Sequence, residues 1–262
     1  MTIQFFKYQG TGNDFVILDN RDGLYNNLTE EQIRLLCHRR MGVGADGLML
    51  LNTKEGYDFE MKYYNSDGRE GTMCGNGGRC LVKFAYNRGI HRTEYRFSAV
   101  DGDHLAEVDA DGTVSLKMRD VNPSDIQSRK GDWVIFTGSP HYIRPVNDIK
   151  ELNVYKEGRN IRYNDEFAEK GINVNFVEII EDGEIFVRTY ERGVEDETYS
   201  CGTGVTAAAI AYYHNEVGFN NVVVHTKGGE LNVEFERNAE NEYRNIWLSG
   251  PAEEVFKGEI NI

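Results

Sequence analysis

"FEMKYYN", residues 59–65, reads as a strand, and its pattern returns as "IFVRTYE" at 185–191. In both, apolar and polar residues alternate with the period of a half-buried strand. The two stretches align at an offset of 126 residues, and "TGND" (11–14) aligns with "TGSP" (137–140) at the same offset. One added residue then sets Cys74 of "MCGNGGRC" (73–80) over Cys201 of "SCGTGVTAAA" (200–209). Three landmarks in one order within 262 residues point to a duplication, each half carrying a glycine loop, a strand and a Cys-Gly helix start.

The turn-rich "DVNPSD" (120–125) is the natural boundary. The expected domains are an N-terminal half, 1–120, joined by the C-terminal tail 252–262, and a C-terminal half, 121–251. Further strands are expected at 57–65, 114–118, 133–136, 173–180, 184–190, 221–226 and 231–236, and helices at 29–40, 78–89 and 205–218, with Thr29 as an N-cap. Strands outnumber helices, so the expected class is mixed α/β of the α+β kind, with two pseudo-symmetric domains. Their Cys-Gly turns would face each other across a cleft.

The formal net charge of −14 argues against nucleic acid or an anionic membrane as the partner, since both select basic surfaces. "MTIQFFKYQG" lacks a basic n-region followed by a long apolar stretch, so no secretory leader is expected, and the longest uncharged apolar run, around Ala207 to Tyr213, is too short to span a bilayer. A cytoplasmic protein is expected. The four cysteines, Cys37, Cys74, Cys80 and Cys201, form no CxxC and no zinc-like cluster with histidine, so reduced thiols and no metal are expected.

A helix N-terminus carries unpaired N–H groups and a partial positive charge, which favour a thiolate and bind carboxylates. Gly75, Gly77, Gly78, Gly202 and Gly204 let a ligand approach the backbone amides, and Asn76 and Thr203 add side-chain donors. An amino acid held with its α-carbon between two such cysteines can lose a proton to one thiolate and gain one from the opposite thiol. The result is stereochemical inversion, with no cofactor required. Cys37 and Cys80 lack the glycine context and read as packing residues. His141 in "SPHYI" falls in the repeat partner of "TGNDF", and Glu191 and Arg192 of "YERG" stand in register with Asn65.

Two stretches imitate a dinucleotide fingerprint. "GVGADG" (42–47) follows a helix and leads into "LMLL", the reverse of the order needed, and "GTGVTA" (202–207) follows the acidic "VEDETYS".

Taken in order, "GTGNDF", "RRMGVGADGL", "YYNSDG", "CGNGGRC", "GSPHY", "INVNFVE", "YERG" and "SCGTG" resemble the diaminopimelate epimerases across nearly the whole chain. The resemblance implies two similar domains, each a mostly antiparallel sheet curled around a central helix, with the active site in the cleft between them. It implies Cys74 and Cys201 as base and acid, with His141 and Glu191 beside them. Asn13, Asn65, Asn173 and Arg192 would hold the distal end of the substrate, Gly75, Asn76, Gly202 and Thr203 the reacting carboxylate, and Glu191 would contact substrate as well. A homodimer is also implied. Gly47 stands where some members carry Gln, and Ser139 where many carry Asn. A proline or hydroxyproline racemase of the same superfamily, with the same two-thiol chemistry, and a thiol redox protein are the alternative readings.

Overall fold

The computed structural model describes residues 1–212 and 216–262. The helix expected over 205–218 includes Tyr213, His214 and Asn215, which lie outside the described residues. The chain divides into two compact units, Met1–Leu116 with Gly250–Ile262, and Lys117–Ser249.

In the first unit, β1 (Thr2–Gly10) and β2 (Asn13–Asp19) form a hairpin. Thr11 and Gly12 form its two-residue turn with φ of 50° and 80°, the left-handed geometry of a hairpin that follows the strand twist. Helix α1 (Glu30–Cys37) starts on a capping box: Gln32 N donates to Thr29 Oγ1 and Thr29 N to Gln32 Oε1. The sheet continues through β3 (Gly47–Asn52), parallel to β2, and β4 (Phe59–Asn65), antiparallel to β3. Helix α2 (Gly75–Asn87) then crosses over to β5 (Glu94–Ala99), parallel to β4, and β6 (Gly102–Val108) and β7 (Val114–Lys117) follow antiparallel. The C-terminal strand Glu253–Asn261 pairs with β1.

The second unit repeats this course. β8 (Ile126–Arg129), β9 (Asp132–Phe136) and β10 (Pro140–Pro145) are antiparallel, and α3 (Val154–Arg162) crosses to β11 (Asn173–Glu181), parallel to β10. β12 (Glu184–Glu191) turns back antiparallel and pairs with the short β13 (Asp196–Thr198). Helix α4 (Gly202–Tyr212) leads to β14 (Gly218–Thr226), parallel to β12, then to β15 (Gly229–Arg237) and β16 (Tyr243–Gly250). Parallel neighbours need a crossover, and each helix supplies one.

In the repeat, His141 takes the place of Phe15. Phe15 pairs with Gly47 and Gly47 with Asn65, while His141 pairs with Asn173, the residue at the same offset from Gly47.

The helices differ in burial because their sequences differ. α2 is buried from Gly75 through Val82 and is packed by β1, β2, β3, β4, β6 and the C-terminal strand. α4 has no charged residue and buries Val205 through Ala211 against strands from β9 to β15. A helix apolar on all sides belongs inside. α1 and α3 bury one face each, in cores containing Ile33 and Leu36, and Val154 and Ile161.

Several expected boundaries shift, among them the end of α1, which stops at Cys37 and not at residue 40. α2 begins at Gly75, three residues before Gly78, because Cys74 itself is the N-cap. α4 begins at Gly202 and not at Val205 for the same reason, and Gly218 opens a strand. "GVGADG" runs through the loop after α1 to Gly47, the first residue of β3, with Gly44 at φ 82°, and opens no helix.

Candidate active site

Each unit presents its cysteine in the same way. Cys74 has extended backbone angles and its carbonyl accepts the first helical bond from Gly78 N at 2.7 Å; the Cys201 carbonyl accepts from Val205 N at 2.8 Å. The first turns of α2 and α4 contain no acidic side chain, so the helix dipole is left to act on the sulfur and on a bound anion. Both cysteines are partly exposed, whereas Cys37 and Cys80 are buried and their thiols are pushed up to about 12 by burial.

In the first unit, Cys74 Sγ lies 3.5 Å from Asn13 Oδ1, and Asn76 Nδ2 lies 3.5 Å from the same oxygen. Asn13 opens β2 directly after the hairpin turn, and its Nδ2 donates to Asp46 Oδ2 at 2.6 Å. Asp46 is held by Arg39, which also grips both oxygens of Asp14 at 2.8 and 2.7 Å. Lys7 pairs with Asp14 at 2.6 Å. Burial acts to raise the Asp14 pKa, but the hydrogen bonds from Arg39 and Lys7 outweigh it and hold the carboxyl down at about 2. A charge network thus fixes the Asn13 amide with its oxygen toward the thiol.

The second unit uses a largely neutral chain. Cys201 Sγ lies 3.6 Å from Thr203 Oγ1, which lies 2.9 Å from His141 Nε2. Asn175 Nδ2 faces His141 Nδ1 at 3.1 Å, and Thr189 Oγ1 donates to Asn175 Oδ1 at 2.9 Å. His141 is fully buried, and burial, with the nearby Arg192 charge, lowers its pKa to about 3. The ring is neutral. Gly204 lets α4 approach this chain closely: a Cβ there would sit 2.3 Å from Asn175 Oδ1.

Asn173 Oδ1 accepts from Arg192 N at 2.9 Å, and its Nδ2 donates to Ser139 Oγ at 3.0 Å, so Ser139 supports Asn173. The exposed Arg192 side chain reaches Lys170 O at 3.2 Å. Glu191 ends β12 opposite Asp196, and the exposed Asn65 ends β4 opposite Gly47. Gly75 and Gly202 are the first residues of their helices. At Gly47 a Cβ would meet the Tyr63 ring at 2.4 Å, so Tyr63 fills the space that a longer side chain would need.

Sequence reasoning missed Asn175, Thr189, Asp46 and Arg39. Asn175 carried a usable signal: it lies two residues after Asn173 on a strand, hence on the same face.

No helix among the described residues is long and apolar enough to cross a membrane. Solved structures with the same architecture include a Bacillus anthracis phenazine biosynthesis protein of the PhzF family, 17% identical, with a TM-score of 0.75 and complete coverage (100%) of both chains. An Agrobacterium vitis hydroxyproline epimerase is 13% identical, with a TM-score of 0.70, covering 99% of this chain and 92% of the other. At such identities the likeness establishes the fold. A relative named diaminopimelate epimerase from Flavobacterium psychrophilum is 45% identical, covering 98% of this chain and 100% of the relative. One of the same name from Chlorobaculum tepidum is 48% identical, covering 97% and 99%. The family profile described as diaminopimelate epimerase matches residues 5–122 and 133–255, which takes in both cysteine turns. Likeness on this scale, from one end of the chain to the other, makes it a member of the diaminopimelate epimerase family.

Proposed function

We propose that the protein interconverts LL-2,6-diaminopimelate and meso-2,6-diaminopimelate, serving lysine and peptidoglycan precursor biosynthesis. The observation that carries this reading is the matched pair of N-capping cysteines, one per unit, on helices without acidic first turns.

Inversion at an α-carbon needs a base on one face and an acid on the other. Cys74 and Cys201 take those roles and exchange them with direction. As a thiolate removes the α-proton, negative charge moves onto the substrate carboxylate. The amides at Gly75, Asn76, Gly202 and Thr203 hold that carboxylate and stabilise the charge as it develops. His141 acts on Cys201 through Thr203 as a neutral donor, and Glu191 takes part from the distal side, at the end of β12 where Arg192 follows it. Asn13, Asn65, Asn173, Glu191 and Arg192 bind the distal amino acid end, where an ammonium and a carboxylate need acceptors and donors together. The domains in this reading are the repeat halves, 1–120 with 252–262 and 121–251. It includes a homodimer acting in the cytoplasm, without metal or prosthetic group.

The test is incubation of the reduced protein with LL-diaminopimelate in D₂O, followed by chiral separation and mass spectrometry. Deuterium entering one α-centre as the meso form appears is the expected result. Folded, reduced protein that yields neither label nor meso product refutes the reading and turns attention to proline and hydroxyproline.

A further inference from the structure

Arg79, in α2, is completely buried. Its Nη2 donates to Asn76 Oδ1 at 3.0 Å and to Thr11 Oγ1 at 3.3 Å, and its Nε and Nη1 have no hydrogen-bond partner among the described residues. Both acceptors are neutral. A guanidinium keeps its proton in a protein interior, so this is a cation taken out of water with no carboxylate to offset it.

Among the described residues no carboxylate pairs with Arg79: Glu60 of β4 is taken by Lys54, Asp103 of β6 by Arg96, and Glu253 of the C-terminal strand by Gln9. Tyr8 of β1 turns its hydroxyl toward Glu254 and Asn87, and Asp14 of β2 is occupied by Lys7 and Arg39. Burial pulls the Arg79 pKa down, and the ionisable groups that oppose this are the sulfurs of Cys80 and Cys74. Cys80 is buried and stays a thiol. Cys74, the N-cap of the same helix, is partly exposed, and its Sγ meets the Asn13 oxygen that Asn76, the partner of Arg79, also faces.

The other half of the repeat lacks this cation. At the offset that sets Cys74 over Cys201, Arg79 falls on Thr206, a buried hydroxyl that donates to Gly202 O of its own helix at 3.0 Å.

We propose that Arg79 is a positioning residue for the proton transfer: the buried counter-charge of the Cys74 thiolate, and the group that locks Asn76 with its Nδ2 turned toward Asn13. This rests on the two-thiol reading above and deepens it. Asn13 Oδ1, 3.5 Å from Sγ, accepts from the S–H form and so favours the thiol. A base that must work in both directions also needs an accessible thiolate. The guanidinium offsets the carbonyl and keeps both states within reach.

The experiment uses Cys201→Ser protein, in which Cys37 and Cys80 are shielded by burial, and follows iodoacetamide alkylation of Cys74 against pH by peptide mass spectrometry. With Arg79 present, the inflection is expected below the ordinary thiol value of about 8.5. Arg79→Met and Arg79→Gln are expected to raise it by about one unit, cutting alkylation at pH 7 roughly tenfold. Arg79→Lys, which keeps the charge, should restore most of the rate. An inflection that stays in place in either neutral variant, with the melting transition intact, overturns the proposal. Should both neutral variants fail to fold, a Cys74 inflection at or above about 8.5 with Arg79 in place overturns it as well. Alkylation is independent of turnover, so a failure of the epimerase reading leaves this result interpretable.

Discussion

Asn175 fixes the tautomer of His141. Tyr142 O can only accept, and it lies 3.3 Å from Asn175 Nδ2, so the amide nitrogen is the atom that faces His141 Nδ1 at 3.1 Å. Nδ1 is therefore an acceptor, and Nε2 carries the proton and donates to Thr203 Oγ1. The Thr203 hydroxyl then lies 3.6 Å from Cys201 Sγ, able to donate to a thiolate or to accept from a thiol, and links the sulfur to the ring without a second charge.

Removal of the Asn175 amide should therefore slow proton transfer without touching substrate binding. Asn175→Leu is expected to lower kcat about tenfold, the value of one lost buried hydrogen bond, with KM little changed because Asn175 is fully buried. Asn175→Asp should place the proton on Nδ1, raise the His141 pKa and add an inflection to the pH profile of kcat/KM. Unchanged kcat and pH profile in both variants would show that Cys201 does not depend on the ring.

The two cysteines should be individually indispensable. Cys74→Ala and Cys201→Ala are each expected to cut epimerisation by at least about a thousandfold, the scale of a lost general acid or base, while circular dichroism stays native. Substantial turnover by either variant would contradict the two-base mechanism.

His141 should weaken the fold in mild acid. Its native pKa, about 3, lies below the unfolded value of about 6.5, so the unfolded chain takes up the proton first. The stability that the neutral ring contributes is complete above about pH 6.5 and is lost as the pH falls toward 3. His141→Gln lacks this titration, and its denaturant midpoint should fall less than the wild type's between pH 7 and pH 5. Parallel midpoints would show that the ring is not buried in its neutral form.

The repeat and both cysteine turns were legible because their signals are local: a period-2 pattern, and small residues at a helix start. What stayed hidden depends on tertiary packing. α3 falls in "VYKEGRNIR", whose central glycine weakens any helical signal, yet that glycine is demanded by packing, since a Cβ at Gly158 would sit 2.4 Å from Tyr190 Cβ. Arg79 was read as one letter of a motif; nothing in a helix that continues with Lys83 and Asn87 says that this arginine faces inward. Asp46 and Arg39 reach Asn13 from a loop after α1, a pairing that no sequence spacing encodes.

That network makes the base of the Cys74 site sensitive to acid. Asp14 is held at about 2 against an unfolded value of about 3.9, so its contribution is complete above about pH 4 and disappears as the pH falls through 2. The shift corresponds to roughly 2 to 3 kcal/mol. Asp14→Asn keeps the shape but leaves Lys7, only 6% exposed, without its anion, so at pH 7 the loss should reach that size or exceed it. Urea unfolding of wild type and variant should show a wide gap at pH 7 that narrows markedly at pH 2.5. Activity should fall with stability, because Arg39, released from Asp14, holds Asp46 less firmly and Asp46 orients Asn13. A gap of equal size at both pH values would mean that the Asp14 charge contributes nothing and that only its shape matters.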